Sequence, residues 1–210
     1  MQNKHIVKQG EYLAQIAAKY GFTDYKLIWD FADNAELKDK RKSPNVLYPG
    51  DVLAIPDRQI KTQEIATEQR HRFRVAQKRQ PKIKLQLRDI NDQPLADKSC
   101  VLIVELQRLE LTSDGEGIIE QAISLHDKKG TLSVENYDIP LKIGSLDPLD
   151  TVSGQQARLA SLGYYFGDID AKEGPLFELA VEEFQCDQNL TVTGQCDIDT
   201  QTKLKDAYGC

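Results

Sequence analysis

The sequence predicts a multidomain α+β protein with three parts: a small β-α-α-β module, a central β-sandwich and a C-terminal bundle of three helices. Two changes along the 210 residues support this division. Apolar residues follow helical spacing near both ends but alternate with a period of two in the middle. Formal charge also shifts, because residues 59–100 carry 10 basic and 5 acidic side chains, whereas residues 145–210 carry 4 and 12.

Two segments set the predicted domain boundaries. Residues 58–70 are polar with little apolar periodicity, and we interpret them as a linker or a short exposed helix. Near residues 144–148, turn-forming residues interrupt a strand-like pattern. The expected domains are therefore residues 1–57, 71–144 and 145–210, with the linker at 58–70.

Composition restricts the classes of partner. Hydrophobic residues make up 40% and charged residues 29% of the chain, so a buried core is expected and global disorder is not. No apolar run approaches the roughly 18 residues that a membrane span needs, so no membrane span is expected. The basic stretch over residues 70–88 contains one aromatic residue, Phe73, and so lacks base-stacking platforms. We therefore do not expect nucleic acid as a partner.

The first module is expected to begin with a strand at residues 5–8. A helix follows, because apolar residues recur at i, i+3, i+4 and i+7, and Gly21 ends it. A second helix starts at about residue 24, and a turn-rich loop over 44–50 leads to a strand at 51–56. The residues expected to be buried in the two helices are Leu13, Ile16, Ala17, Tyr20, Leu27, Ile28 and Phe31.

This module resembles the LysM family over about residues 5–57. The matching residues are Val7-x-x-Gly10, Leu13-x-x-Ile16-Ala17 and Leu47-Tyr48-Pro49-Gly50-Asp51-Val52-Leu53-Ala54-Ile55-Pro56. Two features depart from the family: Gly10-Glu11-Tyr12 replaces the usual Gly-Asp-Thr/Ser, and the connection before the second strand is long.

LysM modules generally bind glycans that contain N-acetylglucosamine, in a shallow groove between the loop after strand 1 and the loop before strand 2. The resemblance implies a groove lined by Gly10, Glu11, Tyr12, Leu47, Tyr48 and Pro49. The alternative is that Tyr12 and Tyr48 are packing residues.

The middle segment is expected to be a small β-sandwich of six or seven short strands. Apolar residues alternate in runs that start at Ile83 and Val101, and further strand-like runs cover 119–125, 131–134 and 139–143. The phrases at 89–95 and 112–117 resemble immunoglobulin-like or transthyretin-like domains of bacterial surface and secretion proteins. No polar cluster indicates chemistry, so a spacer or docking domain is expected.

Residues 152–208 are expected to form three helices. The first ends at Gly163, the second begins at Pro175 and the third is capped by Asp197 or Asp199 after a turn at Thr193-Gly194. The residues expected to be buried are Val152, Leu159, Leu162, Ala180, Val181, Phe184, Leu204 and Ala207.

This segment closely resembles the three-helix peptidoglycan-binding domain found beside many cell-wall hydrolases. The matching residues are Gln156-x-x-Leu159-x-x-Leu162-Gly163-Tyr164-Tyr165, Gly167-x-Ile169-Asp170, Gly174-Pro175, Ala180-Val181-x-x-Phe184-Gln185 and Asn189-Leu190-x-Val192-Thr193-Gly194-x-x-Asp197-x-x-Thr200. Ala171 stands where glycine is usual in the family, and Glu173 where an aromatic residue is usual. The family's proposed ligand face is a cleft near this loop, which implies Tyr164, Tyr165, Asp170 and Glu173 as binding residues. The alternative is that both tyrosines cover the core.

The sequence shows no recognisable catalytic or metal-binding pattern. Its three histidines lie in unrelated contexts, and Cys100 with His126 in a β segment gives poor support for a Cys-His hydrolase. Cys186, Cys196 and Cys210 lack the short Cys-x-x-Cys spacing of zinc sites. We expect no catalytic residues, no metal and no cofactor. The sequence leaves two possibilities for these cysteines. One is a disulfide, either between Cys196 and Cys210 or between Cys186 and Cys196, and the other is that they are free thiols.

Both end modules resemble wall-binding families, so the expected function is non-catalytic binding of peptidoglycan, through its N-acetylglucosamine-containing glycan or its stem peptide. Two alternatives are a protein adaptor or cargo-loading factor, and a cryptic cell-wall hydrolase. The domain order, with residues 33–51, resembles proteins of type VI secretion and other contractile injection spikes. This implies spike or effector proteins as partners.

The expected location follows from the first eight residues, which lack the apolar core of a secretory signal. We therefore expect the protein in the cytoplasm, with delivery to the periplasm or cell wall by a contractile injection system.

Overall fold

The computed structural model describes residues 3–58, 64–72 and 80–210, which form a mixed α+β protein with six α-helices and several β-sheets. Residues 64–72, within and just after the expected linker, contain no helix or strand. Residues 59–63 of that linker lie outside the described residues, as do Phe73, Arg74, Lys78 and Arg79 of the basic stretch. None of the described helices is both long and apolar enough to cross a lipid bilayer.

The N-terminal unit is built on two antiparallel strands, β1 (Asn3–Ile6) and β2 (Val52–Ile55). Between them lie α1 (Leu13–Lys19), α2 (Lys26–Trp29), a 3-10 turn (Ala32–Asn34) and α3 (Ala35–Arg41). Buried Asn34 fixes β2, since its Nδ2 donates to Ala54 O at 2.8 Å and its Oδ1 accepts from Ala54 N at 2.7 Å.

Two details of this unit differ from the sequence-based expectation. Helix α3 is additional, and α2 has only one turn. The short α2 buries Ile28 and Trp29, whereas Leu27, expected in the core, is 56% exposed. The core of this unit therefore contains Trp29, which the helical spacing does not predict, and lacks Leu27.

The middle unit contains two antiparallel sheets. Strand β3 (Lys82–Gln86) pairs with β6 (Ile118–Ala122). The four-stranded sheet has the order β5-β4-β7-β8, formed by β4 (Ser99–Val104), β5 (Gln107–Thr112), β7 (Lys129–Val134) and β8 (Tyr137–Lys142). One apolar cluster joins the two sheets: Leu87, Cys100, Leu102, Val104, Ile119, Ile123, Leu132 and Val134. In β4 the buried residues are one position out of phase with the alternation that starts at Val101.

The C-terminal unit has helices α4 (Val152–Ser161), α5 (Pro175–Asp187) and α6 (Ile198–Tyr208). Side-chain caps begin two of them: Thr151 Oγ1 accepts from Gly154 N at 3.1 Å and Asp197 Oδ1 accepts from Thr200 N at 2.8 Å. The buried cluster comprises Leu159, Tyr165, Phe177, Ala180, Val181, Phe184 and Leu204. Ala207, expected in this core, is exposed.

Candidate functional site

Two neighbouring loops of the N-terminal unit carry the six predicted groove residues. The loop after β1 holds Gly10, Glu11 and Tyr12, and the loop before β2 holds Leu47, Tyr48 and Pro49. Backbone hydrogen bonds hold the loops side by side, since Val7 N donates to Asp51 O at 2.8 Å and Gly50 N donates to Val7 O at 2.9 Å. Leu47 is 7% exposed and belongs to the apolar core, so its side chain supports the loop from inside.

Glu11 fastens the first loop. Its Oε2 accepts from Lys8 N at 2.9 Å and from His5 Nε2 at 2.8 Å, and its Oε1 lies 3.9 Å from Lys19 Nζ. Burial raises the pKa of Glu11, but the hydrogen bonds from Lys8 and His5 and the charges nearby outweigh it and lower the pKa. The carboxylate thus stabilises the conformation of the loop.

The second loop is fastened by an ion pair between Arg41 and Asp51. Arg41 Nε and Nη2 each donate to one oxygen of Asp51 at 2.8 Å, and both side chains are less than a tenth exposed. Asp51 Oδ2 also accepts from Tyr48 N at 2.9 Å. Burial raises the pKa of Asp51, but the bonds from Arg41 and Tyr48 lower it below its ordinary value. The Arg41 guanidinium carbon lies 5.5 Å from the centroid of the Tyr48 ring, so it occupies one face of that ring.

Tyr12 makes contacts outside its own unit. Its hydroxyl donates to Leu125 O at 3.2 Å, and Gln15 Nε2 donates to the same carbonyl at 3.1 Å. Its ring lies against Gly144, where a Cβ would come 2.6 Å from Tyr12 Cδ1. Burial, with a contribution from Asp127, raises the pKa of Tyr12. Tyr12 therefore joins the N-terminal unit to the middle unit.

The two predicted tyrosines of the C-terminal unit are anchored by their hydroxyls. Tyr165 is 7% exposed, and its hydroxyl donates to Asp168 O at 2.8 Å. The Tyr164 hydroxyl donates to Asp187 Oδ2 at 3.0 Å, and its ring meets Phe184 edge-on at 5.3 Å. Burial, together with Asp187, raises the pKa of Tyr164 to about 12.

Asp170 is held by the fully buried side chain of Gln156. Gln156 Nε2 donates to Asp170 Oδ1 and to Lys172 O, both at 3.0 Å, and Gln156 Oε1 accepts from Ala171 N at 3.0 Å. The hydrogen bond from Gln156 is the largest cause that lowers the pKa of Asp170. Ala171 has a φ of 60°, in the left-handed region. This conformation explains why glycine suits the position.

A second buried glutamine, Gln185, organises the loop between α5 and α6. Its Nε2 donates to Thr193 Oγ1 at 3.1 Å, Gln195 O at 2.9 Å and Thr200 Oγ1 at 2.9 Å. Its Oε1 accepts from Thr193 N at 2.8 Å and Gly194 N at 3.1 Å. One side chain thus fixes both the turn and the start of α6.

A cleft of about 680 Å³ lies between this loop and the N-terminal turn of α5. Its walls are Glu173, Gly174, Pro175, Phe177, Glu178, Thr193, Gly194, Gln195, Cys196 and Asp197. Three of these residues carry carboxylates: Glu173, Glu178 and Asp197. The cleft therefore presents a negative surface to a ligand.

Family models match both ends of the chain. Residues 5–56 match the LysM domain, and residues 150–204 match the putative peptidoglycan binding domain. The chain contains a LysM domain and a peptidoglycan-binding domain. The two matches include the groove loops and the C-terminal cleft, and they support binding of peptidoglycan. The searches of curated proteins and of solved structures give no match.

The structure brings the predicted residues of the peptidoglycan-binding domain only partly together. Glu173 lines the cleft, whereas Tyr164, Tyr165 and Asp170 are not among its lining residues. The loop residues 193–197 supply most of the facing wall. Thr193-Gly194 belongs to the family motif and is predicted as a turn, but the resemblance does not imply it as part of the binding face. The sequence signal from which this wall could have been predicted is the Thr193-Gly194 turn, which lies opposite the Gly174-Pro175 helix start.

The cysteines are free thiols in the structure, so it contains no bond between Cys196 and Cys210. Cys196 lines the cleft, and burial, followed by the charges of Asp197 and Glu173, raises its pKa to about 12. In the described part of the chain, no group of three or more His, Cys, Asp and Glu side chains is placed to hold a metal ion.

Proposed function

We propose that this protein binds peptidoglycan without catalysing its cleavage. The observation that carries the proposal is the cleft of about 680 Å³ within the segment that matches the peptidoglycan-binding domain. Gln185 fixes one wall and the Pro175 helix start fixes the other, so the cleft is formed before a ligand arrives. Such preorganisation reduces the entropy lost on binding.

The cleft favours a neutral or cationic part of the wall. Residues 145–210 carry 12 acidic and 4 basic side chains, and three carboxylates line the cleft itself. Phosphate-bearing wall polymers would be repelled by this field. We therefore assign the cleft to the glycan or the stem peptide.

The LysM domain supplies a second proposed site, at the groove lined by Gly10, Glu11, Tyr12, Leu47, Tyr48 and Pro49. Glu11 and Leu47 shape the loops, whereas Tyr48 and Pro49 are half-exposed and form the sugar-binding surface. When one of two weak sites on a chain has bound a polymer, the other site meets the same polymer at a raised effective concentration, so the chain binds more tightly than either site alone.

Sedimentation with purified peptidoglycan tests the function. We expect the full chain to sediment with the polymer and Gln195→Trp, which fills the cleft with an indole, to sediment at least fivefold less. Glu178→Ala removes a carboxylate inside the cleft and serves as a second test variant. Its control is Glu183→Ala, which removes the same charge from an exposed position on the same helix. No sedimentation of the unaltered protein contradicts the function, and equal sedimentation of Gln195→Trp contradicts the cleft.

The absence of catalysis is part of the proposal. Cys100 is 2% exposed, its Sγ donates to Lys98 O at 3.3 Å, and burial raises the pKa of its thiol. This environment does not favour a thiolate nucleophile. Release of soluble muropeptides by the purified protein would instead support the alternative of a cryptic hydrolase.

We further propose that the middle unit, as an immunoglobulin-like or transthyretin-like sandwich, docks the protein onto a type VI secretion or related spike. The support is the resemblance of residues 33–51 and of the domain order. The exposed Lys82 and Lys84 are candidates for this contact, so co-purification with spike proteins should weaken with salt and with Lys84→Glu. An adaptor without wall binding would co-purify with the spike and fail to sediment with peptidoglycan.

A further inference from the structure

The segment between β8 and α4, residues 144–150, is called the connector here. It begins against the first groove loop of the LysM domain. Gly144 has a φ of 71°, and a Cβ on it would lie 2.6 Å from Tyr12 Cδ1 and 3.5 Å from Gly10 O. A Cβ on Gly10 would lie 3.7 Å from Ser145 Oγ. The start of the connector is therefore in van der Waals contact with Gly10 and Tyr12.

The connector ends beside the second groove loop. Asp150 Oδ1 lies 3.4 Å from Arg41 Nη1, the guanidinium that also covers one face of the Tyr48 ring. Arg41 is fixed in this position by its two hydrogen bonds to Asp51. One end of the connector thus contacts the first groove loop, and the other end pairs with Arg41, which fastens the second loop through Asp51.

The residues between these contacts are packed rather than free. Residues 144–147 and Leu149 are half-buried and Pro148 is buried, although none of them belongs to a helix or a strand. On the same side of the LysM domain, the Leu125 carbonyl accepts from Tyr12 and Gln15. The connector and the loop after β6 therefore cover the ring and the hydroxyl of Tyr12 together.

We propose that the connector closes the glycan groove of the LysM domain, and that the domain binds glycan only when the connector moves away. This inference rests on the proposed function of the LysM groove. A sugar ring that spans the groove would need the Tyr12 surface beside the exposed parts of Tyr48 and Pro49, and the connector covers the ring of Tyr12. Glycan and connector then compete for one surface, and each weakens the binding of the other by the same factor.

The second half of the connector is bonded to α4, since Arg158 Nη1 donates to Asp147 O and Gln155 Nε2 donates to Leu149 O. Its contacts with the LysM domain, by contrast, are weak enough to be reversible. The Asp150 side chain is 59% exposed, and an ion pair of this kind contributes little in water. The observed affinity for glycan equals the affinity of the open form multiplied by the fraction of molecules that are open. Any change that loosens the connector without touching the groove should therefore tighten glycan binding.

Titration of the full chain with the soluble pentamer of N-acetylglucosamine measures this effect. We expect Asp150→Ala to bind the pentamer about two- to fivefold more tightly than the unaltered protein, as loss of an exposed ion pair permits. Inserting Gly-Ser-Gly between Ser145 and Leu146 together with Asp150→Ala should tighten binding at least tenfold. Asp206→Ala removes an equal charge from exposed α6 and should leave the affinity unchanged.

Hydrogen exchange gives a readout that does not depend on the ligand. The loosened variant should exchange faster than the unaltered protein over residues 9–15, and the pentamer should restore protection there. Equal affinity in all variants, or faster exchange without glycan binding, overturns the proposal. Sedimentation with peptidoglycan through the C-terminal cleft would survive that result, so failure here is distinct from failure of the proposed function.

Discussion

Gln185 Nε2 donates to Thr200 Oγ1 across 2.9 Å in the interior of the peptidoglycan-binding domain. The two residues come from different helices, and the same amide group also holds the loop that forms one wall of the cleft. The stability of the domain and the shape of its cleft therefore depend on one side chain.

Gln185→Leu is expected to lower the free energy of unfolding by about 2–3 kcal/mol, because buried backbone N–H groups lose their acceptor. Thr193 N and Gly194 N are those donors. Urea denaturation measures the loss, and sedimentation with peptidoglycan should fall with it. Gln188→Leu, at the end of the same helix, serves as the control and should change stability by less than about 0.5 kcal/mol. Equal stability of the two variants would contradict this role of Gln185.

The conformation of Ala171 gives a second prediction. Its φ of 60° is unfavourable for a residue with a Cβ, and glycine adopts it freely. Ala171→Gly should therefore raise the free energy of unfolding by about 0.5–1 kcal/mol, after allowance for the greater freedom of glycine in the unfolded chain. Ala207→Gly, at an exposed position of α6, should lower it by about 1 kcal/mol. Thermal unfolding that shows the same sign for both variants would contradict the prediction.

The starts of α5 and α6 are predictable from the sequence because their signals are local. Pro175 begins α5 and Asp197 caps α6, each through chemistry that involves residues within one turn. The phase of β4 was not predictable, since residues 100–104 are all apolar and fit either alternation. Helix α2 is only four residues long and so has too few turns to show which face is buried.

The candidate sites were less predictable than the fold. Tyr12 contacts the Leu125 carbonyl, a separation of 113 residues that no local pattern reveals. Gln185 matched the family motif, but an interior glutamine has no periodic signature that indicates its five hydrogen bonds. Glu173, which the family resemblance implies as a binding residue, lines the cleft because it directly precedes the Gly174-Pro175 helix start.

Gly154 gives a prediction about close packing at the start of α4. A Cβ at this position would lie 2.0 Å from Pro148 O and 2.7 Å from Asp147 O, both backbone atoms. Gly154→Ala should therefore lower the free energy of unfolding by about 1–3 kcal/mol, although alanine favours helix formation. Gly174→Ala is the matched control, since a Cβ there meets nothing within 4 Å. If Gly154→Ala and Gly174→Ala lower the denaturation midpoint equally, Pro148 can move away from the added Cβ without loss of stability.

The last prediction concerns acid. The pKa values of Glu11 and Asp51 are lowered from ordinary values of 4.5 and 3.8, in each case because hydrogen bonds to the charged form outweigh the effect of burial. Each carboxylate binds protons more weakly in the folded protein than in the unfolded one. Its stabilising contribution is therefore present above the ordinary pKa and is lost as the pH falls through the lower, folded pKa.

The free energy of unfolding should thus fall as the pH is lowered below about 4.5, with the steepest loss in the LysM domain. Chemical denaturation at a series of pH values, followed by the fluorescence of Trp29, the single tryptophan of the chain, measures this. Glu11→Gln should be less stable at neutral pH and show a shallower dependence between pH 5 and 3, because one of the two linked carboxylates is gone. Glu36→Gln, an exposed change on α3, should keep the slope of the unaltered protein. A slope that is the same in Glu11→Gln would mean that the bonds from His5 and Lys8 do not favour the charged carboxylate in solution.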